Sequence, residues 1–148
     1  MGMDSYYMNE ALKEAKKAYD LGEVPIGCVI VRDGAIIGRG HNRTETDESA
    51  THHAEIMALK AADEATEGWR IGGDLYVTVE PCPMCMGAIL NSRIERLIIG
   101  TDNPRFGAAG SVVNLAAFRA FNHSVDVTEG VCAEKCRALM QSFFKGLR

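Results

Sequence analysis

Two short runs constrain this chain of 148 residues more than anything else in it. They are His53-Ala54-Glu55 and, some 27 positions beyond Glu55, Pro81-Cys82-Pro83-Met84-Cys85. Each stands where a helical apolar pattern begins, and Leu75–Val79 between them reads as a strand. Cys82 and Cys85 are three residues apart, so within a first helical turn both sulfurs face one side and can chelate one ion. Thiolate and imidazole are ligands that zinc accepts, and the partial positive charge at a helix N-terminus favours the thiolate. His53, Cys82 and Cys85 make three protein ligands and leave the fourth tetrahedral position open, as in catalytic rather than structural zinc sites. A fourth ligand is not at hand: Cys28 falls mid-strand, Cys132 and Cys136 on the last helix, and His41, His52 and His123 in loops. Glu55 lies two residues from a ligand, where it can take a proton from a water bound to one zinc per subunit. Plainer readings exist for each part alone. A CxxC also serves redox or structural ends, and a glutamate at a helix start is favourable with the dipole; only the combination is specific.

Around these runs the chain alternates helix and strand. A first helix is expected from a cap at Asp4 or Ser5 to about Leu21, with Met8, Leu12, Ala15 and Tyr19 on one stripe and Gly22 ending it. Ile26–Val31 is a nearly continuous apolar strand, Asp33-Gly34 a two-residue hairpin signal, and Ala35–Gly40 the return strand. A polar loop from His41 to Thr51 leads into a second helix reaching about Ala65. Leu75–Val79 is a third strand and Pro83 opens a third helix. Leu97–Ile99 is a fourth strand, followed by a glycine-rich loop from Gly100 to Gly110. Val125–Val127 is a short fifth strand, and a last helix spans about Val131–Lys145 with Leu139, Met140, Phe143 and Phe144 available for packing. The order predicts one α/β domain over residues 1–148: three layers, with a central five-stranded mixed sheet between helices.

Composition narrows the class. Five cysteines, an odd number, argue against a disulfide framework. No apolar run approaches the ~18 residues a bilayer span needs. No signal peptide is visible, so the expectation is a cytoplasmic chain without membrane association. Net charge is −4, but it is unevenly spread. Residues 1–80 hold 8 basic against 15 acidic side chains (−7), and residues 81–148 hold 8 against 5 (+3). A locally basic face on an acidic protein is therefore possible.

The pattern H-x-E…P-C-x-x-C is that of zinc-dependent nucleobase deaminases. Over nearly its whole length the chain resembles the bacterial tRNA-specific adenosine deaminases of the cytidine deaminase-like superfamily. The resemblance is carried by Glu23-Val24-Pro25-Ile26-Gly27, Gly40-His41-Asn42-Arg43, His53 to Ala58, Leu75 to Thr78, Glu80-Pro81-Cys82, Gly107-Ala108-Ala109-Gly110-Ser111, Asn122-His123 and Phe143-Phe144. It implies a cytidine deaminase-like fold, zinc on His53, Cys82 and Cys85, and proton transfer by Glu55. It also implies a homodimer that converts the wobble adenosine of a tRNA anticodon loop to inosine. Asn42 would bind the base, with Pro25, Ile26, Ala54, Val79, Glu80 and Pro81 walling the pocket. Asn103, Arg105, Phe106, Asn122 and His123 would lie near flanking nucleotides, and Phe143, Phe144, Lys145 and Arg148 would add an RNA-binding edge. Asn103 stands where many members carry aspartate, which removes a negative charge from the phosphate path. Two alternatives stay open on the residues alone. One is a deaminase of a free base or nucleoside, of guanine or cytosine type. The other is a zinc-stabilised RNA-binding module without catalysis.

Overall fold

A computed structural model describes residues 2–118 and 121–147; Arg148, assigned above to an RNA-binding edge, lies outside the described residues. The elements are α1 (Asp4–Asp20), β1 (Gly27–Arg32), β2 (Ala35–His41), α2 (Ala54–Ala65), β3 (Asp74–Val79), α3 (Pro83–Asn91), β4 (Arg96–Thr101), β5 (Asp126–Thr128) and α4 (Ala133–Gly146). The sheet runs β2-β1-β3-β4-β5. β1 is antiparallel to both neighbours, whereas β3, β4 and β5 are parallel, so the sheet is mixed as expected.

The continuous apolar strands follow from helices covering both faces. Cys28 and Ile30 of β1, Leu75 and Val77 of β3, and Leu97 and Ile99 of β4 join the core that α2 and α3 close. The alternating residues Val29, Val31, Tyr76 and Ile98 join Tyr7, Met8 and Ala11 of α1 and Cys136 of α4 on the other face. The Asp33-Gly34 turn has positive φ at both residues, 53° and 77°, the geometry that a tight type I′ hairpin requires.

Three expectations need correction. Asp4 does not cap α1. The cap position is Met3, without a side-chain hydrogen bond. Asp4 instead sits in the first turn, accepts from the Tyr76 hydroxyl at 2.7 Å and pairs with Arg96 at 2.9 Å. The last helix starts two residues late, and Cys136 is its one fully buried side chain. Phe143 is half-buried and Phe144 exposed, so neither of the pair serves the core.

The helix that carries His53 and Glu55 is seated unusually close to the sheet. A β-carbon at Gly40 would overlap the backbone of Ala54 and Ala58, and one at Gly38 would overlap that of Ala58. Ala54, Ala58 and Ala62 form the matching small-residue stripe on α2 and are all fully buried. Bare backbone on β2 thus sets the height of α2, and with it the height of the residues that begin the helix.

Candidate metal centre and base pocket

His53 and Cys82 occupy the N-cap positions of α2 and α3, with extended backbone at both. Their carbonyls accept the first helical hydrogen bonds, from Met57 and Met86. Cys85 follows one turn into α3. Both cysteine sulfurs stand 3.6 Å from His53 Nδ1. A tetrahedral zinc with bonds of about 2.05 Å to nitrogen and about 2.3 Å to sulfur places those atoms about 3.6 Å apart. The donor set therefore fits that ion. All three ligand atoms lie within 4.8 Å of one another, and they are the one such His/Cys/Asp/Glu cluster among the described residues.

The electrostatics agree. The hydrogen bond with Cys85 is the main influence on the Cys82 thiol and, helped by His53 and against burial, brings it down to about 4. The same contact, with burial and the charge of Glu55, pushes Cys85 far up, because two adjacent sulfurs do not both ionise without a cation. His53 is raised, first by its hydrogen bond with Cys82. Glu55 is 4% exposed, and burial pushes its carboxyl up to about 7, where a group both accepts and donates a proton near neutrality.

Beside this cluster opens a cavity of about 480 Å³, lined among others by Val24, Ile26, Asn42, His53, Phe143 and Phe144. Ala54 also lines it, and Pro25 is buried just below in the sequence of the wall. Asn42 is 8% exposed. Its amide nitrogen donates to the Val24 carbonyl at 3.3 Å and its oxygen accepts from the Thr44 hydroxyl at 2.8 Å, which fixes the side chain. Phe143 meets Phe144 and Tyr19 edge-on at the rim.

Other predicted residues stand elsewhere. Val79, the last residue of β3, and Pro81, in the turn that leads to Cys82, are both buried. Glu80 points away from the cavity into the loop after β4. It accepts from the amides of Asn103 (3.1 Å), Ala109 (2.9 Å) and Ser111 (3.0 Å) and from the Ser111 hydroxyl. Arg105 and Phe106 are exposed on that loop, and the Asn103 side chain caps its turn by accepting from the Phe106 amide. Asn122 and His123 are not brought to the cavity within one chain. His123 Nε2 lies 2.7 Å from the Ile94 carbonyl, ahead of β4, whereas the ligands follow the far end of β3, beside Thr101. Five strand steps, roughly 16 Å, separate those ends.

Two residues escaped the sequence reading. Glu23, 1% exposed, accepts from the amides of Glu45 (3.2 Å) and Thr46 (2.6 Å) and from the Thr46 hydroxyl (2.6 Å). It thereby ties down the polar loop between β2 and α2. Asp47 holds Arg43 at 3.0 Å and His52 at 2.8 Å within that loop. The role of Glu23 leaves no local pattern, since its partners lie 22 and 23 residues away; that of Asp47 is local, within five residues, but a charged loop alone does not announce it.

The profile described as the cytidine and deoxycytidylate deaminase zinc-binding region matches residues 1–101. A tRNA-specific adenosine deaminase of Bacillus subtilis is 46% identical over 149 residues, which span all of this chain and 92% of that protein. The chain belongs to the tRNA-specific adenosine deaminase family. A second such deaminase, from Streptococcus pyogenes serotype M18, is 47% identical and covers 95% of the chain and 89% of its own length. A solved structure from a study of A-to-I editing by tRNA:A34 deaminases superposes with a TM-score of 0.87 at 41% identity, covering 90% of this deaminase and 98% of that chain. Among the described residues no helix of the deaminase is long and apolar enough to cross a membrane.

Proposed function

We propose that residues 1–148 form one deaminase domain that hydrolyses the wobble adenosine of a tRNA anticodon loop to inosine, releasing ammonia. The observation that carries this is the His53–Cys82–Cys85 cluster at zinc spacing with buried Glu55 beside it. His53, Cys82 and Cys85 hold the metal. Zinc bound there supplies the Lewis acidity that makes water a nucleophile at neutral pH.

The adenosine leaves its stack and enters the cavity. Asn42 reads its edge. A side-chain amide has two N–H donors and two acceptor lone pairs, and one of each is used on Val24 and Thr44, so one of each is left for the base. Glu55 takes the proton of the attacking water and delivers it to N1 as oxygen adds to C6. It then carries the second proton to the amine, the C6–N bond breaks, and ammonia departs. Ile26 and Ala54 form apolar walls, and Phe143 and Phe144 offer ring faces to the neighbouring nucleotides.

The same reading has the chain acting in the cytoplasm as a homodimer. Val112, Val113, Phe118 and Phe121, each 45–55% exposed, give an apolar surface for a second copy to cover.

The test is mass spectrometry of a tRNA after incubation, beside ammonia assays on free guanine and cytosine. Inosine at the wobble position and no ammonia from the bases is the expected result. Ammonia from a free base with unaltered tRNA would overturn it.

A further inference from the structure

We propose that Trp69, Arg70 and Arg93 form a phosphate clamp for the RNA that extends beyond the target loop, an inference that rests on the tRNA reading above. Trp69 is 58% exposed. The guanidinium carbon of Arg70 lies 4.9 Å, and that of Arg93 5.7 Å, from the centroid of its ring. An indole attracts cations through its π system, so one ring holds two like charges near it. Among the described residues neither arginine makes an ion pair with a carboxylate, although Asp63, Glu64 and Glu67 stand close in sequence. Arg93 is further fixed by donating to the Leu90 carbonyl at 3.0 Å. The result is two guanidinium groups anchored at one ring with donors left unused, the groups that bind phosphate.

The clamp's position gives it a partner. Trp69 and Arg70 follow α2, and Arg93 follows α3; both helices begin at metal-ligating residues. The 12 residues of α2 span about 18 Å. The patch thus stands at the end of α2 away from the pocket, and an RNA strand that leaves the pocket along α2 carries its backbone phosphates to that range. His123, held against the carbonyl of Ile94 next to Arg93, stands at the same end of the sheet. A polyanion already required by the catalytic pocket is therefore the occupant, in preference to an acidic protein.

The test measures binding of a fluorescein-labelled anticodon stem-loop RNA by anisotropy, across a salt series, for the full-length zinc-loaded protein. The Arg70→Ala and Arg93→Ala variants should each weaken binding about tenfold at low salt. Each should also lower the slope of log Kd against log salt by roughly 0.9. Trp69→Ala should weaken binding less, and the Arg→Lys variants should keep the slope while losing affinity. Zinc content and molecular mass by light scattering should stay unchanged. Unaltered affinity and slope in the alanine variants would overturn the clamp, and so would a change in oligomeric mass, which would assign the patch to a protein contact. Inosine formation by the unmutated protein is scored separately: its absence, with salt slopes shifted as stated, would refute the tRNA-editing reading and leave the clamp standing.

Discussion

Glu55 and Glu80 are buried to the same degree, 4% exposed each, and each lies two residues from a member of the His53–Cys82–Cys85 cluster. Their surroundings give them opposite characters. Burial governs Glu55 and pushes its carboxyl up to about 7. Burial also raises Glu80, but the Ser111 hydroxyl and the amides of Ser111, Asn103 and Ala109 outweigh it and hold the group below its ordinary value. Depth alone therefore does not make a proton carrier. The supply of donors decides whether a buried carboxyl is left for chemistry or holds a loop in place.

That contrast can be broken at either end. The largest effect is expected from Glu55→Gln, which should lower turnover by about 10²–10⁴-fold while elemental analysis finds zinc retained. Near-normal turnover would remove the distinction between the two glutamates. Gly40→Val should follow, because the new side chain collides with the α2 backbone. Overpacking of this kind costs about 1–3 kcal/mol and should lower the melting temperature by several degrees. Zinc content should fall as well, since His53 moves with α2. Glu80→Gln should cost about 1–3 kcal/mol through donors left unsatisfied at a buried side chain and raise KM for RNA, with kcat and zinc content little changed. A collapse of kcat at constant KM would instead place Glu80 in the chemistry.

The smallest effects are in pH dependence, and their signs differ. The Glu80 carboxyl is depressed in the folded protein. Its stabilising contribution is therefore present above its ordinary value of 4.5 and is lost as pH falls through the lowered value. The Glu55 carboxyl is raised from 4.5 to about 7, so the folded state holds a proton that the unfolded state has released. In the metal-free protein stability should fall as pH rises across that window. Thermal melts of metal-free Glu55→Gln should show the upper slope flattened, and melts of Glu80→Gln the lower one.

The element order, the mixed sheet and the His/Cys/Cys cluster were legible because they rest on local signals. Strand runs, a hairpin dipeptide and two helix starts each declare themselves within a few residues. What the sequence hid is non-local. Glu80 reads as a pocket wall until the fold brings Asn103, Ala109 and Ser111 over its carboxylate. Gly38 and Gly40 look like ordinary strand glycines until Ala54 and Ala58 lie against them. His123 is written beside Asn122 in a family-like run, yet the parallel crossover from β4 to β5 carries it to the far end of the sheet. Phe143 and Phe144 fit an amphipathic stripe equally well as core or as rim, and the rim position follows only from where the pocket opens.

The most direct test of the central claim is to run the reaction on a tRNA anticodon stem-loop in water enriched in ¹⁸O and weigh the nucleosides released afterwards. Inosine at the wobble position should carry the heavy oxygen on C6, formed by the unmutated protein and not by Glu55→Gln. Unlabelled inosine, or adenosine left intact by a zinc-loaded and RNA-bound protein, would contradict it.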